Sequence, residues 1–195
     1  MIRKRMLTSF QMDAVSQALA RISAMPIVID DRSRTLAQIA TACRIHKRKS
    51  GIRFAIVDYL GLIEPERGSK ANREQQVAQV SRGLKNIATD LDITVICLCQ
   101  LNREVEKRNG TDKRPKLSDL RESGAIKQDG DLILLLDMPW LHDDKATPNV
   151  SRLQIAKQRN GALGQISLDW NPLTTAYRPM PVQEPFTSDY FGEAS

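Results

Sequence analysis

The run Phe54-Ala-Ile-Val-Asp-Tyr-Leu-Gly-Leu-Ile63 constrains this chain most. Four apolar residues lead into Asp58 and more follow it. A run apolar on both faces predicts a strand buried in the middle of a parallel sheet. Asp58 falls at or near the carboxyl end of that strand, where open α/β sheets bind their ligands. A carboxylate there can hold Mg²⁺, directly or through water, beside a nucleoside triphosphate. It can equally cap the next loop, and one strand aspartate does not choose between the two.

The flanking stretches give that strand a setting. Ile2, Met6, Phe10, Val15, Leu19 and Ile22 recur at helical spacing and predict a helix over 2–23. Beyond Pro26, Ile27-Val-Ile29 predicts a short buried strand. Thr35-Leu-Ala-Gln38 has the pattern of a capping box and opens a second helix that ends at Gly51. In 72–91, Val77, Val80, Leu84, Ile87, Ala88 and Leu91 form one apolar stripe opposite polar residues, the clearest helix of the chain. Ile93-Thr-Val-Ile-Cys-Leu-Cys99 predicts the next buried strand and delivers Gln100 at its end. Strand, helix, strand in this order is a βαβ unit.

Residues 101–118 are polar and basic and predict a long mobile loop. A strand follows at 132–136. Three shorter ones, at 152–156, 165–169 and 175–178, are separated by Asn160-Gly161 and Asn171-Pro172 and predict an antiparallel extension of the sheet. Residues 181–195 lack pattern and are expected to form a flexible tail.

Composition bounds the class. At 195 residues, with 41% apolar and 27% charged, the chain is sized for one globular domain. No apolar run approaches the roughly 18 residues of a membrane span, so no membrane partner is expected. Three cysteines, Cys43, Cys97 and Cys99, provide no disulfide framework and no Cys-x-x-Cys, which suits a reducing cytoplasm. The +6 charge is concentrated early: residues 1–50 carry ten Lys/Arg against three Asp/Glu. Such a segment can track phosphate or simply form a solvated helix face. His46 and His142 are isolated and are assigned to no metal.

Four stretches in order carry a resemblance. Asp58-Tyr-Leu-Gly-Leu62 resembles the Walker B strand of the C-terminal motor domain in DnaB-family replicative DNA helicases. Gln100-Leu-Asn-Arg103 resembles the segment after that family's next core strand. Ser118-Asp-Leu-Arg-Glu-Ser-Gly124, with Gln128, Asp129 and Asp131, resembles its DNA-facing loop and following helix. Lys157-Gln-Arg-Asn-Gly161 resembles its trans-acting basic motif. Order and spacing agree across residues 27–178.

The resemblance implies an α/β fold of RecA type, a partial P-loop NTPase core. Its mostly parallel sheet would be flanked by helices and extended by antiparallel strands at the C-terminal end. It implies ATP and Mg²⁺ as cofactors, with Asp58 as the metal-holding carboxylate and Gln100 as a sensor of the γ-phosphate. Lys157 and Arg159 would reach the nucleotide of an adjacent subunit, Arg159 as the arginine finger. Arg121, Glu122 and Gly124 would lie on the loop that binds single-stranded DNA. Arg121 would pair with phosphate and Gly124 would allow close backbone approach. Expected partners are single-stranded DNA, a homo-hexamer or full-length helicase subunits, and a replication loader or primase.

The sequence contains no Gly-x-x-x-x-Gly-Lys-Ser/Thr loop to cradle phosphates. The resemblance also begins past the family's catalytic glutamate. The expectation is therefore a motor domain over 1–180, truncated before its phosphate loop and inactive alone. The alternatives are a non-catalytic module that binds DNA or helicase subunits, and another RecA-type ATPase.

Overall fold

A computed structural model of the chain describes residues 8–65, 68, 71–108, 113–120 and 124–180. The expected tail at 181–195 lies outside the described residues. The helices are α1 (Ser9–Ser23), α2 (Leu36–Ser50), α3 (Arg73–Leu91) and the short α4 (Gly124–Asp129). The strands are β1 (Phe54–Val57), β2 (Thr94–Cys97), β3 (Leu132–Asp137), β4 (Val150–Gln158), β5 (Gly164–Asn171) and β6 (Ala176–Pro179).

The three long helices start the same way. Thr8, Thr35 and Asn72 each accept a hydrogen bond from the amide of a glutamine three residues on, and that glutamine's side chain returns the bond. This reciprocal box satisfies two amides that a helix start otherwise leaves open. At the far end of α2, Gly51 takes the left-handed conformation, with φ 61°, that stops the helix.

β1 and β2 pair in parallel, Phe54 opposite Thr94 through Val57 opposite Cys97, and α3 makes the crossover between them. β3 to β6 form a second, antiparallel sheet in sequence order. The expected α/β class is present, and the expected antiparallel strands lie at the C-terminal end as a sheet of their own, not as an extension of the parallel pair. The parallel part is two strands wide because the described chain supplies one βαβ unit.

The predicted stripe of α3 is the main core. Val77, Val80, Leu84 and Ile87 are buried with Cys43 of α2 and with Leu60, Ile63 and Ile93, against Ala55, Val57, Val95 and Cys97 of the parallel pair. A second cluster joins Leu120, Ile133 and Leu135 to Leu101, Leu117 and Ala156.

Three expectations are corrected. β1 is not covered on both faces: Ala55 and Val57 face the core, while Phe54 and Ile56 are 60% and 68% exposed. Among the described residues no helix lies over that outer face. Ile27–Ile29 is not a strand. It is exposed and stands across a cleft of about 910 Å³ from β1, so its backbone has no partner edge. Asp30 then turns the chain, its carboxylate accepting from the amides of Arg32 (2.9 Å) and Ser33 (3.1 Å). Pairing on this flank is confined to Thr35 with Glu64.

The described parts of 101–118 are also tied down. Val105 is buried, Asn102 donates to the Asp119 carbonyl (2.9 Å), and the Arg108 guanidinium grips the buried Asp119 carboxylate. A basic, polar composition concealed this anchor because its acid lies 11 residues away.

Candidate nucleotide and DNA site

Parallel pairing places Asp58 and Gln100 at the same end of neighbouring strands. Past the strand ends the ladder continues, with Leu98 donating to the Val57 carbonyl (3.0 Å) and Leu60 to the Leu98 carbonyl (2.9 Å). The segments bearing Asp58 and Gln100 are therefore held together by backbone, and both side chains are exposed. The Asp58–Tyr59 peptide is cis. Gly61 follows, where an added Cβ would fall 2.6 Å from the Tyr59 ring.

Among the described residues no group of three or more His, Cys, Asp or Glu could hold a metal ion. A lone exposed carboxylate suits Mg²⁺ that keeps its waters and phosphate ligands, and not a metal caged by protein alone. Asp58 fits the first case.

Nearby, burial pushes the Cys97 thiol up to about 11, so it is an inert core group. Cys99, expected within the buried strand, lies past the end of β2 and is exposed.

The basic motif is gathered elsewhere. Lys157 lies near the end of β4, where a bulge pairs Ile133 with Lys157 but Leu134 with Ile155. Its ammonium donates to the carbonyls of Lys127 and of Gln128 (3.3 Å) at the end of α4. Arg159 lies one residue beyond the strand. Its amide donates to the Asp131 carbonyl (2.9 Å) and its guanidinium meets the Asp131 carboxylate at 3.1 Å. Lys85 of α3 holds the other Asp131 oxygen, and Ser81, one turn earlier, donates to Asp129 at 2.7 Å. The Lys85 hydrogen bond, with the Arg159 and Lys157 charges behind it, keeps the Asp131 carboxyl below the ordinary range despite partial burial.

Of the expected DNA residues, Arg121 and Glu122 lie outside the described residues. Gly124 opens α4 and is exposed, and a Cβ there would meet nothing within 4 Å. No hydrogen bond or ion pair links Asp58 or Gln100 to Lys157 or Arg159 among the described residues. Asp131, Lys85 and Ser81 had no assigned role from sequence. They stand 46 and 48 residues from their partners, beyond any local spacing rule.

An aspartate at the carboxyl end of a parallel strand, a polar residue past the end of the adjoining strand and a separate basic hairpin fit the α/β core of the RecA-type ATPases that the sequence resembles. The chain belongs to the family of DnaB-like helicase C-terminal domains, whose model matches residues 1–179. It is 40% identical over 169 residues to the replicative DNA helicase DnaB of Geobacillus stearothermophilus and 41% identical over 169 residues to the replicative DNA helicase DnaC of Bacillus subtilis. Each match covers 86% of this chain and 37% of the relative, so the chain spans little more than a third of those proteins.

A solved structure of a DnaB-like replicative helicase and its interactions with primase superposes with a TM-score of 0.80 at 39% identity, covering 88% of this chain and 41% of that one. A second solved structure, of an ATPase domain, gives 0.83 at 37% identity, covering 90% and 62%. The reading as another RecA-type ATPase finds no support in these matches.

Proposed function

We propose that this domain is part of a replicative helicase motor that couples ATP hydrolysis to movement along single-stranded DNA and duplex unwinding. The observation that carries the reading is the pairing of β1 and β2, which brings the segments bearing Asp58 and Gln100 to the same end of neighbouring strands, in a chain with the family's motifs in order. Phosphoryl transfer requires positioning and charge neutralisation more than covalent help. Asp58 holds Mg²⁺, which neutralises triphosphate charge when bound, and Gln100 reports the γ-phosphate to the segment that follows it. Lys157 and Arg159 serve the nucleotide of the adjoining subunit in a hexamer. Arg121, Glu122 and Gly124 meet the DNA backbone with little sequence preference, because few aromatics lie near for stacking. The relative solved with primase makes primase the first candidate among partner proteins, and the setting is the cytoplasm.

These 195 residues contain no glycine-rich phosphate loop, so the chain by itself is expected not to turn over ATP at a helicase rate. A second reading, a non-catalytic subunit-interaction module, is favoured by the exposed apolar faces of β1 and β3. DNA-stimulated ATP turnover separates the two when measured on the chain alone and on mixtures with the Geobacillus relative. No turnover alone, with altered turnover in mixtures that depends on Arg159, is the expected outcome. Turnover by the isolated chain that survives Asp58→Ala would sink the assignment of Asp58. Mixtures indifferent to Arg159→Ala would leave only the interaction module.

A further inference from the structure

We propose that Asp131 is the positioning residue for Arg159, with Lys85 of α3 as the counter-charge that keeps the hold reversible. This rests on the reading of Arg159 as the group that meets a neighbour's nucleotide. Arg159 stands past the end of β4, where no strand partner fixes its side chain. Asp131 grips it twice, through its own carbonyl to the Arg159 amide (2.9 Å) and through one carboxylate oxygen to the guanidinium (3.1 Å). One residue thus sets both where the arginine's backbone sits and which way its guanidinium points. A guanidinium already oriented loses less freedom when an incoming phosphate docks on it.

The mount itself is fixed from α3. Ser81 and Lys85 lie one turn apart on one helix face. They hold the two ends of the same short turn, Ser81 through Asp129 and Lys85 through Asp131. Lys157 closes over the last carbonyls of α4 just before that turn. Helix, turn and strand end therefore move as one piece.

The charge balance makes the hold weak enough to yield. Asp131 divides its two oxygens between Lys85 and Arg159, and the Asp131 and Arg159 side chains are both about half exposed. Exposed pairs of this kind are weak. When a phosphoryl group takes Arg159, Lys85 still satisfies Asp131, so no carboxylate is left uncompensated. An aspartate with Arg159 as its single partner would compete with the nucleotide.

The experiment uses the Geobacillus relative with its own matching arginine replaced by alanine, so that recovered turnover depends on Arg159 supplied by this chain. The wild-type chain should restore DNA-stimulated ATP turnover and the Arg159→Ala chain should not. Asp131→Asn preserves the backbone bond but loses the charge. It should restore about tenfold less kcat, with KM for ATP within about twofold, as expected for a residue that orients Arg159 for the contact Arg159 itself makes in the transition state. Asp131→Glu should recover part of the loss. If Arg159→Ala restores turnover as well as wild type, the underlying reading fails. If only Asp131→Asn matches wild type, the reading stands and the positioning role falls.

A second measurement follows the Asp131 carboxyl carbon by NMR in the chain alone. Its titration should lie below the ordinary carboxylate range and move up in both Lys85→Ala and Arg159→Ala. This measurement decides if mixtures give no turnover or a variant fails to fold. An ordinary midpoint in wild type, or one unmoved by Arg159→Ala, overturns the proposal.

Discussion

Single side chains in this molecule are decided by their partners more than by their type. Asp119 and Asp137 are both buried aspartates with opposite fates. Burial alone would push the Asp119 carboxyl up, but Arg108's guanidinium and the Lys116 amide outweigh it and hold the group below its ordinary range. For Asp137 burial wins over His142, 3.8 Å away, and over Arg152 and Arg114, so its carboxyl is raised, and one of its oxygens has no hydrogen-bond partner. The lowered group contributes stability that is fully present above its unfolded pKa of about 3.9 and lost as pH falls through its folded value. Arg108→Ala leaves the Asp119 charge buried with less compensation, a loss of about 3 kcal/mol at pH 7. Urea unfolding at pH 7 and pH 3 checks this. The deficit should shrink towards the acid end as Asp119 takes up its proton, and an equal deficit at both pH values would show that Arg108 acts through packing. The aspartates and basic residues of the motifs were legible in the sequence as chemistry-bearing. Their partners were not, since pairs such as Arg108–Asp119 and Lys85–Asp131 are made by chain reversals that no periodicity encodes.

At the scale of elements, legibility followed the burial each element achieves. α3 was readable in full because its apolar stripe repeats over about four turns and every buried apolar member faces one core. The antiparallel hairpins were readable from alternation and turn residues, with their ends displaced by one or two residues. Ile27–Ile29 reads like β1 in composition, yet only β1 has a partner strand, and composition cannot say which edge is available. Gly83 of α3 faces Leu36 of α2. A Cβ there would lie 2.0 Å from a methyl of Leu36 at the start of α2, so a side chain at this position would have to displace Leu36. Gly83→Val should cost about 2 kcal/mol through forced separation of α2 and α3. Chemical denaturation measures it. A variant as stable as wild type would mean that Leu36 swings aside freely and that the helix contact is loose.

Across the described residues, large apolar side chains stay uncovered on several elements. α1 is capped at its start and amphipathic, yet it buries no residue, and Phe10 is 83% exposed with Leu19 and Ile22 also open. The outer faces of β1 and β3 are likewise open at Phe54, Ile56, Leu132 and Leu134. Surfaces of this kind mark contacts with other chain segments or other subunits, and in isolation they promote association. Among the described residues no helix of the chain is long and apolar enough to cross a membrane. The consequence is sharpest for α1. A helix of 15 residues with no tertiary burial has only its caps and propensity to hold it, and isolated helices of this length are marginal in water. Its amides should therefore exchange with deuterium within seconds in dilute chain, whereas those of 77–91, buried on the core side, should be protected for far longer. Adding the Geobacillus relative should slow exchange across 9–23 if subunit contact covers the apolar stripe. Hydrogen exchange read by mass spectrometry on dilute chain, with and without the relative, tests both statements. Protection of α1 equal to that of α3 in the dilute chain would show that the helix is already packed in the monomer. Fast exchange unchanged by the relative would show that its apolar face is not the surface through which subunits meet.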